Sequence, residues 1–149
     1  MSKPILAVMI GISGSGKSTF ARGLKTSLGA EVVSTDDIRL EITGDATDQT
    51  RNGEVFGIAR KRIDDLLAQG KNAVIDATSL NQKDRRLWID IGKKHGAEVV
   101  AYVVNRPVDV AKQQNLKRSR QVPDWVIDKQ KAKLQLPTTA EGFDRIISV

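Results

Sequence analysis

The sequence predicts an α/β fold: a five-stranded parallel sheet with helices on both faces and a helical lid. Three observations carry that expectation. Apolar runs alternate along the chain with segments whose apolar residues recur at helical spacing, and strands that alternate with helices form a parallel sheet through right-handed crossovers. The first run, Ile5-Leu6-Ala7-Val8-Met9-Ile10, is apolar throughout, as a strand buried on both faces requires. Between that strand and the first helix stands Gly11-Ile12-Ser13-Gly14-Ser15-Gly16-Lys17-Ser18-Thr19, a loop of mostly small residues ending in a lysine and two hydroxyls.

The loop fits G-x-x-x-x-G-K-[S/T], the pattern of phosphate-cradling loops. Free backbone N–H groups and the positive end of the helix dipole favour phosphate at such a helix start. Gly11, Ser13, Gly14, Ser15 and Gly16 let the backbone approach closely, and with Lys17, Ser18 and Thr19 they are the candidate nucleotide-binding residues. Lys17 is expected to reach the β- and γ-phosphates and the Ser18 hydroxyl to ligate Mg²⁺. The helix that follows carries Phe20, Leu24 and Leu28 at a four-residue spacing, with Gly29 placed to stop it.

Glu31-Val32-Val33-Ser34 reads as a short strand turning into a helical segment at Ser34-Thr35-Asp36-Asp37-Ile38-Arg39. With Thr35 or Ser34 as the cap, Asp36 and Arg39 share a helix face and Asp37 is rotated by about 100°. Two readings stand: a capping aspartate with a local salt bridge, or a carboxylate and guanidinium presented together where ligands bind in open α/β sheets. Leu40 to Gln49 is polar, contains Gly44 and reads as a loop. From Thr50 to Ala68, Val55, Ile58/Ala59, Ile63 and Leu66/Leu67 repeat at helical spacing, ended by Gly70. Asn72-Ala73-Val74-Ile75-Asp76 is the next buried strand. Its terminal Asp76 is a turn or capping residue, or the carboxylate that holds Mg²⁺ or its waters, directly or through Ser18.

Asn81 to His95 is an amphipathic helix, with Leu87, Trp88 and Ile91 on one side and Lys83, Arg85, Arg86, Lys93 and Lys94 read as a solvated face. His95 is expected to serve the last carbonyls of that helix. Glu98 to Val104 is the fourth strand, and Pro107 starts a helix that runs into Asn115-Leu116-Lys117-Arg118-Ser119-Arg120-Gln121 and breaks at Val122-Pro123. Asp124 to Leu134 is another helix, and Phe143 to Val149 supplies the last strand. Two helices joined by an arginine-rich turn suggest a lid over the phosphates. If the first persisted through Arg120, Arg118 and Arg120 would point about 200° apart, so only one could face them.

At 149 residues, 40% hydrophobic and 28% charged, the composition is that of one globular domain, 1–149. The absence of cysteine excludes disulfides and thiolate metal sites and fits a reducing compartment. A strand within four residues of the start leaves no room for a leader, and no apolar run nears the roughly 20 residues of a membrane span, so a cytoplasmic protein is expected. A net charge of +6 hints at a polyanionic partner.

With these stretches placed, the chain resembles, over nearly its whole length, the kinase domain of the polynucleotide 5′-hydroxyl kinases, the end-healing enzymes of phages and bacteria. The phosphate loop carries the resemblance, with Asp36-Asp37-Ile38-Arg39 matching the family's D-x-x-R, Asp76-Ala77-Thr78-Ser79-Leu80-Asn81 its D-x-T-N-x-N, and Asn115-Leu116-Lys117-Arg118 with Val122-Pro123 its arginine lid. The resemblance implies a P-loop kinase fold, ATP or GTP with Mg²⁺, and a 5′-hydroxyl DNA or RNA end as acceptor. Asp36 would be the general base, Arg39 would hold the acceptor's adjacent phosphate, and Arg118, with Arg120, would close over the transferring phosphoryl group. Ser79 departs from the family's asparagine. The accompanying phosphatase or ligase domains are not in the sequence, which implies a stand-alone kinase or one module of a divided repair system. The same loop and fold also serve kinases of sugars, nucleotide sugars and antibiotics, the alternative reading.

Overall fold

The computed structural model describes residues 3–119 and 121–149. Strands β1 (Ile5–Ile10), β2 (Glu31–Ser34), β3 (Ala73–Asp76), β4 (Glu98–Val103) and β5 (Arg145–Ser148) form one sheet in the order β2-β3-β1-β4-β5. Every neighbouring pair is parallel. Helix α1 (Lys17–Ser27) follows β1, α2 (Thr35–Thr43) and α3 (Asn52–Ala68) follow β2, and α4 (Gln82–Lys94) follows β3. Helices α5 (Val108–Asn115) and α6 (Asp124–Lys133) follow β4, and a 3₁₀ turn at Thr139–Glu141 leads into β5.

Side chains of a strand alternate between faces, and the central strand shows what that requires. Leu6, Val8 and Ile10 join a core built with α3 and α4 through Ala59, Ile63, Trp88 and Ile89. Ala7 and Met9 face the other way, against Ala21 and Leu24 of α1. No residue from Leu6 to Ile10 is exposed, so an uninterrupted apolar run is the sequence of this strand. A third, smaller cluster of Ile12, Leu80, Ala111 and Ile127 joins the loop after β1 to the loop after β3 and to both lid helices.

Three expectations about elements are corrected. Helix α2 does not stop at Arg39: it continues through Thr43 to a left-handed Gly44, whose N–H donates to Leu40 O, while Ile42 packs on the core. Helix α5 ends at Asn115 instead of persisting through Arg120, because the Asn115 side chain turns back to hold Val122, with Nδ2 donating to Val122 O at 2.7 Å and Oδ1 accepting Val122 N–H at 3.1 Å. His95 does not serve backbone carbonyls; its Nε2 lies 2.6 Å from Asp64 Oδ1 on α3. Among the described residues no helix is long and apolar enough to cross a membrane.

Candidate active site

The site stands where the sheet order dictates. Loops after the neighbouring strands β1 and β3 lead to helices on opposite faces, α1 and α4, and they part at the carboxyl ends of the strands. In open α/β sheets that crevice is the ligand-binding position. The phosphate loop opens from one side of it and Asp76 from the other.

Two glycines of the loop are demanded by its surroundings. A Cβ at Gly14, whose φ is +80°, would lie 2.1 Å from the carbonyl oxygen of Ala111 on α5; a Cβ at Gly11 would lie 2.8 Å from that of Val104. The loop is thus wedged between its own strand and the first lid helix. Within it Ser15 N–H donates to Ile12 O and Phe20 N–H to Gly16 O, whereas the N–H groups of Gly14, Gly16, Lys17, Ser18 and Thr19 have no acceptor among the described residues. These are the open donors an anion needs. Ser13 differs, because its N–H donates to Gln130 Oε1 of α6 at 2.7 Å.

Lys17 Nζ donates to Asp76 Oδ1 at 2.6 Å and Ser18 Oγ to Asp76 Oδ2 at 2.8 Å. Burial pushes the Asp76 carboxyl up, but the Lys17 charge and hydrogen bond, the Ser18 hydroxyl and the charge of Arg118 outweigh it and hold it below the usual carboxylate range. The lid turn follows α5, whose Ala111 carbonyl abuts Gly14 of the loop. Half-buried Arg118 lies in this turn, its N–H donating to Asn115 O. Arg120 lies outside the described residues. No cluster of three acidic, histidine or cysteine side chains occurs among the described residues. A hydroxyl and one ionised carboxylate nevertheless suit a hard cation that takes its remaining oxygens from phosphates and water, as Mg²⁺ does.

Asp36 and Arg39 stand beside this group. Ser34 is paired in register with Asp76, and its Oγ caps α2 by accepting Asp37 N–H. One turn on, Arg39 Nη1 donates to Asp36 Oδ1 at 2.8 Å, while its Nε and Nη2 both donate to Asn52 Oδ1 at 3.2 and 3.0 Å. Arg39 is 5% exposed, but the Asp36 side chain is 49% exposed. A fixed cation thus backs an accessible carboxylate. Nothing in the spacing of the chain announces Asn52, which reaches Arg39 from the start of α3.

A groove of about 700 Å³ opens next to the loop, lined by Ser15, Gly16, Thr19, Arg106, Gln114 and Val149 among others. The Ser15 Oγ is buried against Gly11 and has no partner among the described residues. Ser79 has φ +46° and a buried Oγ with no partner among the described residues. Asparagine enters that left-handed region more readily than serine.

Arg85, like Asn52, escapes sequence reasoning. Its spacing reads as a solvated face, yet it is fully buried, with Nε and Nη2 donating to Glu141 Oε1 and Oε2 at 2.9 and 3.1 Å. Its Nη1 donates to the carbonyls of Ser79, Leu80 and Gln135. It ties the loop after Asp76 to the segment leaving the lid.

Comparison with known proteins places the fold and the family. A protein of Schizosaccharomyces pombe named bifunctional polynucleotide phosphatase/kinase is 26% identical over 149 residues, covering 97% of this chain and 33% of its own. A protein of Autographa californica nuclear polyhedrosis virus, named for a bifunctional polynucleotide kinase/RNA ligase, is 29% identical over 132 residues, covering 79% of this chain and 19% of its own. A chain of the solved Pnkp1/Rnl/Hen1 RNA repair complex superimposes with a TM-score of 0.78 at 28% identity, over 97% of this chain and 47% of that one. The chain therefore spans a fifth to a third of the length of these curated relatives and about half of the solved one. The fold is that of the P-loop kinases, which implies nucleotide binding. Since the family model for the AAA domain matches residues 6–137, which include the phosphate loop, Asp36, Arg39, Asp76 and the lid turn, the chain belongs to that family.

Proposed function

We propose that this chain transfers the γ-phosphoryl group of ATP, or GTP, to the 5′-hydroxyl end of DNA or RNA, in the cytoplasm, as a nucleic-acid end-healing kinase. The observation that carries the reading is the accessible Asp36 backed by a locked Arg39, next to the Lys17–Asp76–Ser18 cluster in sheet register. The polynucleotide kinase names of the relatives support it. The open N–H groups of the loop hold the phosphates, and Lys17 neutralises charge on the β- and γ-groups. Ser18 and Asp76 would hold Mg²⁺, which when bound neutralises charge on the phosphate oxygens. Asp36 orients the acceptor hydroxyl and takes its proton as the new O–P bond forms and the bond to the β-phosphate oxygen breaks. Arg39, its guanidinium held by Asp36 and Asn52, directs positive charge toward the acceptor's adjacent phosphate, and Arg118, with Arg120, meets the charge that develops on the transferring group.

Transfer of labelled γ-phosphate from ATP to 5′-hydroxyl oligonucleotides, run beside small hydroxylated acceptors, tests this. Labelled ends are expected, with Lys17→Ala inactive. Labelling should weaken steeply as salt rises, since a strand binds partly by releasing counterions. Salt-insensitive use of a sugar or drug, with no use of a 5′-hydroxyl end, would overturn the reading.

A further inference from the structure

Among the described residues, one hydrogen bond joins the lid to the phosphate loop: Ser13 N–H donating to Gln130 Oε1 at 2.7 Å, across 117 residues of sequence. Its setting on α6 is specific. Ile127, three residues before Gln130, is fully buried in the cluster with Ile12, Leu80 and Ala111, and Leu134, four residues after, packs on the same cluster. Positions i−3 and i+4 lie on the face of position i, so Gln130 lies on the face of α6 that meets this apolar cluster. An apolar side chain there would fill the space and leave the Ser13 N–H without an acceptor.

The two lid helices grip adjacent residues of the loop. The Ala111 carbonyl of α5 closes on Gly14, where no Cβ fits, and α6 holds Ser13 through Gln130. The turn bearing Arg118 hangs between those helices, closed at its neck by Asn115. The helices that flank it are therefore fixed to the loop from two sides, and among the described residues only the α6 side depends on a side-chain hydrogen bond. Gln130 also leaves the phosphates their donors, because the N–H it occupies is none of the open ones from Gly14 to Thr19.

We infer that Gln130 is a positioning residue for phosphoryl transfer: its hydrogen bond to Ser13 N–H seats the lid so that Arg118 meets the transferring group. This rests on the proposed reaction and on Arg118's part in it. Catalytic groups tolerate little displacement, and a misplacement of about 1 Å can cost on the order of 10²-fold in rate. Gln130→Met keeps length and bulk while removing the acceptor. It should lower kcat about tenfold or more, within that range, change the KM for ATP far less, and leave the melting temperature near that of the wild type.

Two further measurements separate positioning from mere packing. In the nucleotide-free protein, trypsin should cut after Lys117 and Arg118 several-fold faster in Gln130→Met, because these residues are no longer held down. In a double-mutant cycle, Gln130→Met should cost almost nothing further once Arg118 is alanine, since residues that act through one another are not additive. A large kcat loss from Arg118→Ala with no loss from Gln130→Met, unchanged tryptic cleavage, or fully additive losses would overturn the inference while leaving the kinase reading intact. A silent Arg118→Ala would overturn the role of the lid arginine and this inference together.

Discussion

Asp36 and Asp37 are adjacent in sequence but not equivalent in the fold. The Asp36 carboxylate accepts from Arg39 Nη1 and remains half exposed, whereas Asp37 contributes its backbone N–H to the Ser34 cap. A base must reach the proton it removes, so Asp36→Asn should lose phosphoryl transfer by orders of magnitude while nucleotide binding persists, and Asp37→Asn should be mild. Single-turnover transfer beside nucleotide titration would check both; the reverse ranking would sink the assignment of the base. The pairing of Asp36 with Arg39 was legible because three residues on a helix make neighbours. Asn52, which holds the other edge of the same guanidinium, was not, since its role comes from the packing of α2 on α3. Arg85 was misread for a related reason: it sits among four lysines and arginines on α4, and its partner Glu141 lies 56 residues later in a 3₁₀ turn that no periodicity marks.

At the scale of elements, the Arg85–Glu141 pair is the buried ionic tie between α4 and the 3₁₀ turn, where Arg86 Nη1 also donates to Glu141 O. Glu141 Oε2 also accepts Thr138 N–H at 2.8 Å, so the carboxylate closes the 3₁₀ turn that delivers β5. Removing one partner of a buried ion pair leaves the other charge uncompensated and typically costs about 3–5 kcal/mol. Arg85→Ala should lose stability of about that size by denaturant unfolding. Combining Arg85→Met with Glu141→Leu should recover much of it, and no recovery would mean that the backbone acceptors Ser79, Leu80 and Gln135 matter more than the charge. The strands and most helices were legible from apolar runs and helical spacing. The ends of α2 and α5 were not, because the first depends on a glycine in the left-handed region and the second on a side chain bonding back across a six-residue turn.

For the whole molecule, the all-parallel sheet and its two-sided core follow from alternation along β1, and this part of the fold was read most directly from sequence. The site adds a pH dependence to the stability of that fold. Asp76 is held below the usual carboxylate range in the folded chain, so as pH falls the unfolded chain takes up this proton first and stability declines. The stabilisation is complete above about pH 4, the ordinary aspartate value, and is lost as pH drops through the lower folded one. Relative to Asp76→Asn, the wild type should therefore lose melting temperature only below about pH 4; a difference independent of pH would contradict the Lys17–Asp76 pairing. The sheet is also dressed unequally, with α3 and α4 over one face and α1 over the other. Because the loop that opens toward phosphate is the start of α1, a bound polyphosphate would add its binding energy to the more thinly supported side. In hydrogen exchange, slowing on nucleotide binding should concentrate in α1 and fade toward α3. The loop's ligand would then serve as a splint as well as a substrate.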